Sequence, residues 1–229
     1  MQVEYVRESE IEAIANGLLK KYSVISNGIV EVEELLENHL GLCLETFDAT
    51  LLPEQKQDNV LGYIDFHSNI VAVHDSLLPE NNPDNIGRYN FTLAHEIGHH
   101  TLHREAFMAH INHPSCFDIR KKYLMTKQFG MVKKPSVEWQ ADYFAACLLM
   151  PRNLVSEHWY DFTGSHEART HDEIAEHFAP HIQSSLNKDA LGAMHVKTMA
   201  MLMKVSSQAL YIRLQSVNLI TEHKQFQLL

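Results

Sequence analysis

Between residues 9 and 22, SEIEAIANGLLKKY sets Ile11, Ile14, Leu18 and Leu19 at intervals of three and four, which predicts an amphipathic helix. Val30–His39, with acids and leucines on different faces, predicts a second. The pattern then changes period. Cys43–Phe47, Val60–Phe66 and Ile70–His74 read as three short strands, with His67-Ser68-Asn69 as a tight turn between the last two. A loop rich in Pro, Asn and Asp follows at Leu77–Asn85. Helical spacing returns at Ile86–His103 and again at Val137–Met150, which Ser136 would cap and Pro151 would end. Further helices are predicted at Asn153–Asp161, from His171 to about Ser185, at Asp189–Val205 and at Ser207–Val217. Residues 110–136, mixed in character and broken by two prolines, read as an insertion.

This order predicts an α+β fold, mostly helical, with a small three-stranded sheet packed on the helix around residue 95. Residues 1–185 are expected to form the main domain, insertion included. Residues 186–229 are expected to form a C-terminal helical pair with helix-turn-helix character, packed on that domain.

Composition narrows the function. Lys+Arg 19 against Asp+Glu 29 gives a net charge of −10, which disfavours attraction to phosphate backbones, so no direct nucleic-acid role is expected. The N-terminal MQVEYVRESEIEAIANGLL lacks the charge and apolar pattern of a signal peptide, and no run approaches a membrane span. Cys43, Cys116 and Cys147 are widely spaced and odd in number, which argues against a disulfide framework and fits a reducing cytoplasm. Histidine stands out: six of the 16 fall between His95 and His113.

The chemistry concentrates at HEIGH, residues 95–99, which matches HExxH. On a helix, positions i and i+4 lie one above the other, so His95 and His99 can aim imidazole nitrogens at one ion. Glu96, one step round, is placed to take a proton from a metal-bound water. Gly98 leaves the opposite side small enough for close packing. A buried His pair without metal is the plain alternative. The apolar neighbours Phe91, Leu93, Ala94, Ile97 and Leu102 weigh against it, because an ionisable set there costs desolvation energy unless paired or metal-bound.

A hydrolytic zinc takes three protein ligands and keeps a fourth position for water. The metzincin continuation would need Gly at 102 and His at 105; Leu102 and Glu105 exclude it. The other source is a carboxylate on a second helix, and residues 138–142 read Glu-Trp-Gln-Ala-Asp. Glu138 and Asp142 are again i and i+4. One reading gives Glu138 to the metal and Asp142 a hydrogen bond that fixes the tautomer of a ligating histidine. The other makes both acids partners of the helix dipole.

AHEIGHH followed by VEWQADYFAACLLMP resembles the ImmA/IrrE family of bacterial zinc metallo-endopeptidases, whose pattern is an HExxH helix and then E-x-x-A-[ND]-x-F-A-x-x-L-L-M-P. The strand pair LGYIDF and NIVAVH and the C-terminal VSSQALYIRL extend the likeness over most of residues 10–220. The resemblance implies a zincin-like arrangement of the gluzincin kind. It places His95, His99 and Glu138 on one Zn2+ per chain, with Glu96 as general base. It also implies a cytoplasmic enzyme whose partner is a protein substrate, a helix-turn-helix repressor encoded nearby. The enlarged interval between His99 and Glu138, and Asp142 where Asn is common, depart from the pattern.

Several secondary expectations follow. Tyr143, His103, His158 and Arg213 are candidates to stabilise the oxyanion. A substrate strand can add to an exposed edge of the 60–74 hairpin. His110, His113 and Cys116 have spacing for a second metal site, but a solvated loop is the better reading of them. The competing functional class is a DNA- or partner-binding regulator with a structural or vestigial zinc; residues 186–229 carry five Lys or Arg against two acids, a modest excess.

Overall fold

Arg7 opens the first helix, α1 (Glu8–Tyr22), with a reciprocal cap in which its backbone N–H donates to Glu10 Oε2 at 3.1 Å. Glu8 and Glu10 in the first turn and Lys20 and Lys21 in the last all complement the helix dipole. Ser23, left-handed at φ 54°, closes the helix by returning its N–H to Leu19 O. Ile11, Ala15 and Leu19 form the buried stripe.

The structure is a computed structural model that describes residues 4–48, 60–111, 123–126, 136–178 and 188–221. By internal packing the chain divides into two units. The first is Met1–Ser26 with Val30–Leu149; the second is Asn27–Ile29 with Met150–Leu229. This division falls between Leu149 and Met150, whereas the sequence places a boundary near residue 185.

α1 is followed by a minimal hairpin, β1 (Ile25–Ser26) and β2 (Ile29–Val30), turned at Asn27-Gly28 with both residues at positive φ. Next comes α2 (Val32–Glu34), which widens into a π turn at Leu35–His39. The three predicted strands are present as β3 (Cys43–Phe47), β4 (Val60–Asp65) and β5 (Ile70–His74). A fourth, β6 (Tyr123–Thr126), arises inside the stretch read as an insertion. The sheet order is β3-β5-β4-β6, with β3 parallel to β5 and the other pairs antiparallel. Both outer edges of the β4–β5 hairpin are therefore occupied, which corrects the expectation of an open edge there. The insertion supplies the strand that covers β4, and β3 covers β5.

One residue too many on β4 shapes this sheet. Val60 pairs with Thr126 and Tyr63 with Leu124, so Leu61-Gly62 forms a bulge. The extra residue brings Val60 and Tyr63 to the same face, where they pack with Phe47, Ala72 and Ile70. Gly62 falls on the opposite face, against α3 (Ile86–Ile111), which continues well past the predicted end at His103.

α4 (Ser136–Leu149) packs against both α3 and α1. Gly98 sets how closely α3 and α4 approach. A Cβ there would lie 3.1 Å from Phe144 Cδ1 and 3.2 Å from the Ala141 backbone. Leu93 and Ile97 on α3 and Phe144 and Leu148 on α4 are all fully buried.

The second unit is helical: α5 (Arg152–Thr163), α6 (His171–Phe178), α7 (Lys188–Leu202) and α8 (Ser207–Ser216). α7 packs on α5, α6 and α8, which groups these helices in one unit. Ser206 caps α8, its Oγ accepting from Ala209 N at 3.1 Å. Met199, Met203, Leu210 and Leu214 are buried, whereas Leu202 is exposed.

Candidate metal centre

α3 carries His95, Glu96, His99 and His103, all completely buried. Their spacing places His95, His99 and His103 on one stripe, with Glu96 a step round toward the sheet. α4 brings Glu138, Gln140 and Asp142 to meet them. His95 Nε2 and His99 Nε2 are 2.9 Å apart, and Glu138 bridges the pair with Oε2 3.4 Å from His95 Nε2 and Oε1 3.5 Å from His99 Nε2. Among the described residues this is the one group of three His, Cys, Asp or Glu side chains close enough to share an ion.

The triangle has the right size. Nitrogen and oxygen ligands at about 2.0–2.1 Å from a tetrahedral ion stand roughly 3.3 Å from one another. The three observed edges bracket that value, and the donor set of two imidazoles and one carboxylate suits zinc chemistry. Both Glu96 oxygens are buried without a hydrogen-bond partner among the described residues, so an ionisable acid sits beside the triangle with its proton-accepting atoms unspent. The residues present fit a divalent metal.

Each histidine is held from behind. His95 Nδ1 lies 2.9 Å from Asp142 Oδ1. His99 Nδ1 lies 3.0 Å from His103 Nδ1, and His103 Nε2 lies 3.4 Å from Gln140 Oε1. Burial opposes charge on His95, yet its hydrogen bonds to Asp142 and Glu138 prevail and hold it up at about 10. Burial and the neighbouring His95 and His103 push His99 well down, and burial pushes His103 down. Asp142 thus orients His95 and supplies charge. Asp142→Ala is expected to weaken metal affinity by about 10–100-fold, and Asp142→Asn by less because its Oδ1 still accepts from Nδ1–H. Competition with a chelator measures both.

Glu96 is pushed up to about 8, first by burial and then by the Glu138 charge, with His95 opposing. The bulge at Gly62 makes room for it. A Cβ at Gly62 would lie 2.4 Å from Thr92 Cγ2 and 3.4 Å from Glu96 Oε1. In the metal-free protein the neutral acid is the form the fold favours. The stability Glu96 contributes is fully present below its ordinary value of 4.5 and is lost as pH rises through about 8. The melting temperature of chelator-treated protein is therefore expected to fall between about pH 5 and 9. Glu96→Gln should flatten that fall; an equal slope in both proteins would place the titration elsewhere.

The remaining candidates are engaged differently. The Tyr143 ring stacks on Trp139 with centroids 5.5 Å apart. In the second unit His158 Nε2 bonds the Gly28 carbonyl at 2.8 Å, and Arg213 Nε donates to Met150 O at 2.9 Å. His113, Cys116 and the side chain of His110 lie outside the described residues. Two participants escape a reading for ligands alone: Gln140, whose signal is a polar residue on the buried face of an apolar helix, and Gly62, whose signal is a glycine inside a strand.

Fold and site together define a class: a mostly helical α+β protein of zincin type, with an HExxH helix and a carboxylate from the following long helix. The chain belongs to the peptidase M78 family, the IrrE N-terminal-like domain, which matches residues 50–184. It is also similar to a solved structure described as a Mycobacterium tuberculosis transcriptional regulator, with a TM-score of 0.50 and 13% identity. That match covers 92% of this chain and 47% of the other, so the chain spans about half the length of that protein, and the likeness is one of fold. No curated protein sequence matches the chain. Among the described residues, no helix is long and apolar enough to cross a membrane.

Proposed function

We propose that this chain is a zinc-dependent endopeptidase in which His95, His99 and Glu138 hold one zinc ion and Glu96 is the general base. One observation carries the reading: three ligand side chains from two helices converge within 4.8 Å, beside a buried carboxylate with no other occupation among the described residues.

Zinc held by these residues would supply a Lewis acid for a peptide carbonyl and would make a water more acidic. Glu96 would accept a proton from the attacking water on a carboxylate oxygen and return it to the leaving amine. Beside a divalent charge Glu96 is drawn back toward its ionised form, which is the form a base requires. Asp142 and His103 keep the two imidazoles oriented through the cycle. Tyr143 and His103 remain the candidates for stabilising the oxyanion; of the two, His103 is committed to its contact with His99.

The substrate we propose is a cytoplasmic protein, a helix-turn-helix repressor encoded nearby. Its support is the likeness to the ImmA/IrrE pattern; the description of the M. tuberculosis structure as a transcriptional regulator fits the same setting. The test is co-expression of that repressor with the wild type and with Glu96→Gln. Cleavage by the wild type alone is the expected result. An intact repressor in both, with zinc bound, would favour a regulator that uses its metal for structure.

A further inference from the structure

We propose that Gln140 is a positioning residue whose amide sets the tautomers of His103 and then His99, so that His99 turns a bare Nε2 toward the metal. The inference rests on the ligand set proposed above. It is read from the direction of each hydrogen bond in a buried chain that runs from the backbone of residue 4 to the metal triangle.

The direction is fixed at the outer end. Gln140 Nε2 donates to the Glu4 carbonyl at 3.3 Å. A carbonyl can only accept, so the amide cannot turn over without setting two oxygens against each other. Tyr5 stacks on Trp139 with centroids 6.0 Å apart and planes 13° from parallel, which holds the residue 4–5 backbone beside α4. Gln140 Oε1 then faces His103 Nε2 at 3.4 Å, and an amide oxygen requires that nitrogen to carry the proton. Neutral His103 is left with a lone pair on Nδ1. His99 Nδ1, 3.0 Å away, must therefore be the donor, and the His99 lone pair falls on Nε2, facing His95 and Glu138.

Reversing the first link reverses the rest. A His103 protonated on Nδ1 would ask His99 Nδ1 to accept, and the His99 proton would then sit on Nε2, where it blocks coordination. His99, His103 and Gln140 are all fully buried, so bulk water cannot readily repair a wrong tautomer. Asp142 does the corresponding service for His95 with a charge. The His99 side achieves it with neutral groups, which leaves the net charge around the ion unchanged.

Two measurements on the full-length protein test this: zinc affinity by chelator competition, and histidine 15N spectra of the metal-free protein near pH 7.5. The wild type should show His103 protonated on Nε2 and His99 on Nδ1. Gln140→Met, similar in length but without an amide, should bind zinc about 10–100-fold more weakly and spread both histidines over two tautomers. Gln140→Glu loses the bond to the Glu4 carbonyl but keeps an acceptor facing His103, so its folded form should retain the wild-type tautomers. A wild-type spectrum with His103 protonated on Nδ1 overturns the proposal, even if Gln140→Met does not fold. Unchanged affinity and tautomers in a folded Gln140→Met overturn it as well. Failure of the wild type to bind zinc would strike the ligand set instead, and the spectra would then judge the relay on their own.

Discussion

Glu96→Gln is expected to lower peptide hydrolysis by about 10²–10⁴-fold while one zinc remains bound per chain. The amide keeps the shape of the acid, and Glu96 is not among the three side chains that make the metal triangle. What is lost is the capacity to take and return a proton next to the scissile bond. Because both oxygens lack partners among the described residues, the substitution breaks no hydrogen bond recorded there. Metal analysis and a turnover assay on the same preparation separate the two effects. Loss of zinc together with activity would show that Glu96 serves the metal, and undiminished turnover would remove it from the reaction.

Gly98→Val is expected to cost about 1–3 kcal/mol or more in stability and to weaken zinc binding, without touching any ligand. Atoms at Cβ would press on Phe144 and on the Ala141 backbone, and a helix backbone cannot step aside as the end of a flexible side chain can. Relief comes by moving α4 away from α3. That motion pulls Glu138 from the histidine pair, because Glu138 sits one turn from Ala141 on the same helix. Some gain in helix propensity on losing a glycine offsets part of the cost, by roughly 0.5–1 kcal/mol for Ala. Gly98→Ala should thus be the milder of the two. Thermal unfolding with and without chelator measures both consequences; a destabilised Gly98→Val with unaltered affinity would show that the helix spacing and the metal triangle are independent.

Local pattern made much of the fold legible. HExxH and the E-x-x-A-D run each carry helical spacing and ligand chemistry in one short stretch, so the elements that meet at the site could be named from the sequence. The strands at Cys43–Phe47, Val60–Asp65 and Ile70–His74 announce themselves by β-branched and aromatic residues. What stayed hidden depends on contacts between distant residues. Tyr123–Thr126 is too short to register as a strand until β4 offers it a partner. The π turn at Leu35–His39 follows from how that helix ends and not from its periodicity. The Gln140–His103–His99 chain links residues up to 41 positions apart and leaves no periodic trace, because Gln140 looks like an ordinary polar residue on a helix. The grouping of α5 and α6 with α7 likewise rests on tertiary contacts that no local pattern shows.

The bulge at Leu61-Gly62 has a consequence for how the base could change over time. The depth at which its carboxylate rests is gauged by a strand, since one added methyl group on Gly62 would strike Thr92 Cγ2 and come up against Glu96 Oε1. Reactivity at the helix is thereby tethered to the course of the neighbouring sheet. Variants that straighten β4 would relocate the acid even with every residue of HEIGH intact.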